Sequence, residues 1–137
     1  MSESLTFAKT YKYDTARTGI SLPVILEVGA ESIEVNAKLD TGASFCIFER
    51  KYGELLNLIV ENGEPTTFGT VTGSFLTYGH EVTLTTLGLR WEATVYFIGE
   101  DEIKRNVLGR TGWLDRIKLG LIDYEGKLLL SSYPEDY

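Results

Sequence analysis

The chain has 137 residues, with 13 basic and 20 acidic side chains and a net charge of −7. This length fits one compact domain and is short for two. The negative charge argues against phosphate backbones and anionic lipid surfaces, so we predict no nucleic-acid partner and no membrane partner. We also expect a soluble, cytoplasmic protein, because no apolar run reaches the ~18 residues of a transmembrane helix and the N-terminus lacks the apolar core of a signal peptide.

The first strong pattern along the chain is a two-residue alternation of apolar side chains. It runs from Ile20 to Val28 and, after a turn at "GAES", again from Ile33 to Leu39. Such alternation is typical of two half-buried strands joined as a hairpin. The second strand ends directly before Asp40.

The rest of the chain predicts short strands with little helix. In residues 48–65 apolar side chains recur three to four apart and stop at the glycine and proline of "ENGEP", which predicts a short helix. Residues 66–98 are rich in Thr, Val, Tyr and Phe and are divided by glycines, as in antiparallel strands joined by turns. Residues 106–132 predict a short strand, a single helix near residues 113–117 anchored in the core by Trp113, and a terminal hairpin turning at "EGK". We therefore predict an all-β fold with one or two short helices.

The domain boundaries follow from where these patterns begin and end. We predict a flexible N-terminal segment at 1–16, one folded domain at 17–133 and a C-terminal tail at 134–137.

The available side chains exclude several kinds of catalytic site. His80 is the only histidine, and its place beside Gly79 in a polar stretch predicts an exposed loop residue without a role. Cys46 is the only cysteine, which rules out an internal disulfide, and its apolar neighbours predict a buried side chain. The sequence contains no nucleotide-binding glycine motif and no calcium-binding loop, so we predict no metal and no cofactor. Asp40 remains as the candidate catalytic group.

The residues around Asp40 resemble the active-site motif of aspartic proteases. Asp40-Thr41-Gly42-Ala43-Ser44 follows an apolar strand and precedes the apolar run 45–48. Further along, "NVLGR" at 106–110 is similar to the apolar-apolar-Gly signature that packs behind the catalytic loop in these enzymes, and residues 66–84 resemble the flap hairpin that covers the substrate. These matches span roughly residues 20 to 130. On this basis the chain is identified as a member of the retropepsin-like aspartic proteases, which implies a half-barrel fold.

The resemblance also implies roles for particular residues. The catalytic motif would be Asp40, Thr41 and Gly42; the substrate-binding residues would be Ala43, Thr70, Val71 and Thr72; and Leu108, Gly109 and Arg110 would be structural. Gly42 would allow a backbone conformation and a close approach that a side chain obstructs.

Aspartic protease chemistry needs two carboxylates around one water, whereas this chain carries the Asp-Thr-Gly motif once. Asp14-Thr15 is a poor second motif, because Ala16 follows where glycine is favoured. We therefore predict a homodimer in which each subunit supplies Asp40. The resemblance implies that this dimer is an endopeptidase acting on a peptide or protein substrate with apolar side chains near the cut.

Some features leave alternatives open. Ser44 stands where retroviral enzymes carry an acidic residue, so Arg110 loses its expected partner. Residues 127–133 are the candidate for pairing between subunits. Asp40 and its neighbours would alternatively form only a turn in which a side chain caps backbone groups. The protein would alternatively be a catalytically silent peptide-binding or assembly module, or a protease that is inactive as a monomer.

Overall fold

The computed structural model describes residues 1–133, and most of them lie in strands. The strands are β1 (Lys9–Lys12), β2 (Ser21–Val28), β3 (Glu31–Leu39), β4 (Ile47–Phe48), β5 (Glu64–Thr70), β6 (Gly73–Thr86), β7 (Leu89–Ile98), β8 (Val107–Leu108), β9 (Ile117–Ile122) and β10 (Lys127–Ser132). The helices are α1 (Arg50–Leu55) and the 3₁₀ helices Val60–Asn62, Leu114–Arg116 and Asp123–Glu125. The predicted all-β class with short helices is confirmed.

The helix expected within residues 48–65 is shorter than its apolar spacing suggested. α1 ends at Leu55, and Asn57 takes a left-handed backbone angle, with φ of 61°, that turns the chain away. Gly53 lies against Phe97 and Val60, where an added Cβ would come within 3.1 Å of both side chains. The helix is therefore one tightly packed turn and a half, followed by a separate 3₁₀ turn.

Seven strands form one sheet in the order β2-β3-β8-β4-β7-β6-β5, and an extra pairing of β2 with β6 closes it into a barrel. The long strand β6 makes this possible because its two ends have different partners. Its first half pairs with β5 from Gly73 to Gly79, and its second half pairs with β2 around Leu84. The β5–β6 hairpin therefore projects from the barrel wall.

The predicted alternation in the first two strands is confirmed. Leu22, Val24 and Leu26 of β2 are fully buried, while their neighbours along the strand are partly exposed. In β3, Val35 and Ala37 are buried in the same way. Burial of each leucine side chain stabilises the fold by about 1.5–3 kcal/mol, so these two strands supply much of the barrel core.

Trp113 is a core anchor, as the sequence predicted. Its side chain is fully buried, and its indole N–H donates a 3.0 Å hydrogen bond to the Thr86 hydroxyl. The helix predicted near it is present as a single 3₁₀ turn, Leu114–Arg116.

A second, three-stranded sheet has the order β1-β10-β9 and changes two expectations. Residues 9–12 form strand β1 rather than a flexible segment, because Tyr11 packs on the core and the backbone pairs with β10. Strand β10 is hydrogen-bonded on both edges within the chain, by β1 and by β9. The suggestion that residues 127–133 pair between subunits is therefore wrong for β10. The predicted tail at 134–137 lies outside the described residues.

Candidate active site

The parallel pairing of β3 with β8 brings the sequence motifs together. Strand β3 runs parallel to β8, with Leu39 opposite Leu108. Because parallel strands end at the same edge of a sheet, the residues that follow β3 and β8 meet there. The Asp40 backbone N–H donates a 3.0 Å hydrogen bond to the Leu108 carbonyl, which fixes Asp40 at this edge.

The Asp40 side chain caps a turn and is partly exposed to solvent. The side-chain Oδ1 accepts a 3.0 Å hydrogen bond from the Gly42 N–H, and the backbone carbonyl of Asp40 accepts a 3.1 Å hydrogen bond from the Ala43 N–H. This is the backbone-capping geometry common for aspartate in turns. The side chain is 36% exposed, and its Oδ2 lies on the side of Arg105. Capping therefore involves Oδ1 and leaves Oδ2 to other partners.

Gly109 packs directly behind this loop. A Cβ there would overlap the Phe45 carbonyl and lie 2.8 Å from the Ala43 oxygen, so only glycine fits. The adjacent Arg110 N–H donates to the Ala43 oxygen at 2.9 Å, and Thr111 N–H donates to the Ser44 oxygen at 2.9 Å. The loop is thus held along its length by main-chain contacts.

Gly42 and Arg110 differ in detail from what the resemblance implied for them. Gly42 has no positive φ, and an added Cβ would lie 3.3 Å from Asp40 Oδ1. Glycine is therefore favoured at position 42 by the close approach of the Asp40 carboxylate rather than by a special backbone conformation. Arg110 contributes its backbone N–H, while its side chain is exposed to solvent.

The β5–β6 hairpin stands beside the Asp40 loop and is anchored to it by aromatic rings. The Phe68 ring packs 5.4 Å from Phe45 and 5.4 Å from Tyr96, measured between centroids. A cleft of about 180 Å³ lies between hairpin and loop, with Thr70, Gly42, Ala43 and Arg105 among the residues that line it.

The tip of the hairpin is less involved in this cleft. The Thr70 hydroxyl donates to the Gly73 carbonyl at 2.9 Å and lies 3.4 Å from the Thr72 hydroxyl, which braces the turn. Val71 projects fully into solvent. The structure therefore brings Thr70 to the Asp40 loop, whereas Val71 makes no close approach in the single chain.

Arg105 is a site residue that the sequence reasoning missed. Its Nη2 lies 3.8 Å from Asp40 Oδ2, with side chains 39% and 36% exposed. At this exposure solvent screens much of the attraction. Arg105 Nε is buried and has no hydrogen-bond partner among the described residues. The available signal was its position directly before the "NVLGR" motif in an acidic chain.

Glu49 and Asn106 form a second missed pair, beneath the site. The Glu49 backbone N–H donates to Asn106 Oδ1 at 3.0 Å, and Asn106 Nδ2 donates back to the Glu49 carboxylate. The Asn106 backbone oxygen accepts a 2.9 Å hydrogen bond from the Lys38 N–H. Asn106 therefore ties the strand before Asp40 to the start of α1.

The other titratable candidates lie in structural settings. His80 was expected in an exposed loop but lies half-buried in β6, with Nε2 donating to the Val60 carbonyl at 2.8 Å. Cys46 is buried as predicted, and burial raises the pKa of its thiol to about 11. Asp14 caps the Ala16 N–H at 2.9 Å and lines a different cleft with Arg17.

Within residues 1–133 we find no group of three or more His, Cys, Asp or Glu side chains arranged to hold a metal ion. The same residues contain no helix with the length and apolar character needed to span a bilayer.

Comparison with solved structures identifies the fold. A retropepsin-like aspartic protease from Rickettsia conorii matches with a TM-score of 0.62 and 18% identity, covering 90% of this chain and 97% of that one. EIAV protease, solved with the inhibitor HBY-793, matches with a TM-score of 0.54 and 23% identity, covering 68% of this chain and 83% of that one. No family model and no curated protein matches the chain.

The architecture is therefore that of an aspartic protease domain of the single-domain type. More particularly, this chain has the retropepsin-like fold, as the resemblance implied.

Proposed function

We propose that the chain is an aspartic endopeptidase that works as a homodimer through Asp40. The observation that carries the proposal is the position of this carboxylate. It lies at the edge where β3 and β8 end, in a loop that Gly109 braces from behind, and the next residues of that loop, Gly42 and Ala43, line the cleft beneath the β5–β6 hairpin. Since each chain carries the motif once, a two-fold axis is the simplest source of a second carboxylate.

In the proposed dimer the two Asp40 carboxylates face each other across one water. One accepts a proton from the water, and the other, protonated, donates to the carbonyl oxygen of the scissile peptide bond. Two carboxylates this close share one proton because both cannot ionise cheaply, a property general to aspartic proteases.

The neighbouring residues take supporting roles in this proposal. Thr41 is exposed beside Asp40, where its hydroxyl is free to bond across the dimer. The β5–β6 hairpin acts as the flap and offers backbone hydrogen bonds to an extended peptide. Val71, fully exposed in the single chain, would contact the substrate or the partner hairpin.

The decisive variant is Asp40→Asn, which removes the ionisable group and keeps its shape. We expect peptide cleavage to fall by roughly 10²- to 10⁴-fold, the usual contribution of a general acid or base. Asp14→Asn is the matched control, because Asp14 is also an exposed aspartate before a threonine and lines a different cleft. Circular dichroism and sedimentation at micromolar concentration would check that fold and dimer are retained. Equal activity of wild type and Asp40→Asn would refute the proposal.

One observation favours a second function, a catalytically silent peptide-binding module. In the single chain Arg105 already faces Asp40 at 3.8 Å, a pairing suited to capture rather than to water activation. This alternative predicts that wild type binds peptides without cleaving them. A third possibility is a protease that is inactive as a monomer. Sedimentation would then show a monomer, and peptide cleavage would rise with protein concentration.

A further inference from the structure

A second cleft adjoins the cleft between the hairpin and the Asp40 loop and shares Thr70, Phe75 and Arg105 with it. Its volume is about 350 Å³, and the Thr72 and Ser74 side chains line its hairpin side. Lys104 and Arg105 line the opposite side. Arg105 Nη2 also lies 3.8 Å from Asp40 Oδ2, so a side chain held by Arg105 in this cleft would lie close to the Asp40 carboxylate.

The charge of this cleft is opposite to that of the whole protein. Of the described residues that line it, two are cations and none is a carboxylate, although the chain carries a net charge of −7. Lys104 Nζ already donates to the Asp101 carbonyl at 3.0 Å and lies 3.8 Å from Glu49 Oε1. Arg105 is thus the cation with more capacity left for a ligand.

The hydrogen bonds of Arg105 are incomplete in the single chain. Its Nε is buried without an acceptor among residues 1–133, and its contact with Asp40 is 3.8 Å, longer than a good charge-assisted hydrogen bond. A buried donor without a partner costs free energy, and a carboxylate that accepts two parallel N–H groups recovers it. The cleft also carries Phe75 and Ile103, which suit the methylene groups of a glutamate.

We propose that Arg105 is a specificity-determining residue that selects peptides with an acidic side chain next to the scissile bond. This inference rests on the proposed function, because it places the selected side chain beside the Asp40 pair. It replaces the expectation of purely apolar side chains near the cut.

The test uses two peptides that differ only by glutamate or glutamine, placed in turn on either side of the scissile bond. We expect wild type to prefer glutamate in kcat/KM by roughly tenfold to hundredfold, as for a hydrogen bond between charged groups. Arg105→Leu should abolish this preference, and Arg105→Lys should retain part of it. With a third peptide that carries lysine at the same position, Arg105→Glu should shift the preference toward lysine. Arg90→Gln is the control, because Arg90 is an exposed arginine that pairs with Glu27 away from both clefts.

Each outcome decides between the two proposals. If wild type cleaves both peptides equally, or if Arg105→Leu and Arg105→Lys lower both rates by the same factor, the Arg105 inference is overturned while the protease proposal stands. If wild type cleaves neither peptide, the protease proposal fails. Fluorescence anisotropy of the same peptides, labelled, would then measure their affinity for the protein. Equal affinity for the glutamate and glutamine peptides would overturn the Arg105 inference. A preference for glutamate that is lost in Arg105→Leu would support it.

Discussion

Replacement of Gly109 by alanine tests the packing that holds the Asp40 loop. The new Cβ would overlap the Phe45 carbonyl oxygen and lie 2.7 Å from the Phe45 carbonyl carbon and 2.8 Å from the Ala43 oxygen. All three atoms are main chain, so no side-chain rotation relieves the clash. The loop must move, which endangers the 2.9 Å hydrogen bonds from Arg110 N–H and Thr111 N–H.

The expected loss follows from these contacts. Overpacking of this kind costs about 1–3 kcal/mol, and each lost hydrogen bond about 0.5–1.5 kcal/mol. We therefore expect the free energy of unfolding of Gly109→Ala to fall by roughly 2–6 kcal/mol, with activity lost in parallel because Asp40 is displaced. Urea denaturation at fixed protein concentration, followed by tryptophan fluorescence, measures the change.

Gly69→Ala is the matched control, because a Cβ at Gly69 meets nothing within 4 Å and its backbone angle is ordinary for a strand. It should change the free energy of unfolding by less than ~1 kcal/mol. If Gly109→Ala were as stable as Gly69→Ala, the close packing of Gly109 against the Asp40 loop would be refuted.

Three further predictions concern groups outside the site. The hydrogen bond from the Tyr13 hydroxyl to Asp123 raises the pKa of Tyr13 to about 12. The stabilisation from this hydrogen bond is therefore complete below about pH 10 and is lost as the pH rises through 12. The alkaline unfolding curves of wild type and Tyr13→Phe should differ below that pH range and converge above it. Burial raises the pKa of the Cys46 thiol, so a thiol reagent at about pH 8 should label Cys46 no faster than the chain unfolds. Rapid labelling of the folded protein would contradict the burial of Cys46. Trp113→Phe leaves the Thr86 hydroxyl without its donor and should lower the free energy of unfolding by about 1–3 kcal/mol, with part recovered in the double variant with Thr86→Val.

Features written in local sequence were predictable. The two-residue alternation of β2 and β3 follows from burial of one face, and the hairpin at residues 66–84 follows from its strand-forming residues and glycines. Asp40 and Gly109 were recognised as motifs, and the parallel pairing of β3 with β8 explains why they meet. Local patterns were therefore sufficient for the fold class and for the loop that carries the carboxylate.

Features that depend on contacts between distant segments were missed. Arg105 reaches Asp40, and Glu49 reaches Asn106, only after β3, β4 and β8 have been placed side by side. His80 was misplaced for the same reason, because its hydrogen-bond acceptor, Val60, is 20 residues away. A one-dimensional pattern records the type of side chain and not the partner it will meet.

The pairing of β1 with β10 bears on the order in which the protein is assembled. Beside these strands, the Ala8 N–H donates to the Ser131 hydroxyl across 123 residues of chain. A ribosome makes β1 before β10, so β1 stays without this strand partner while the residues between them are made. Contacts this distant in sequence also close slowly. The three-stranded sheet therefore forms only after β10 has been made, because β10 lies between β1 and β9.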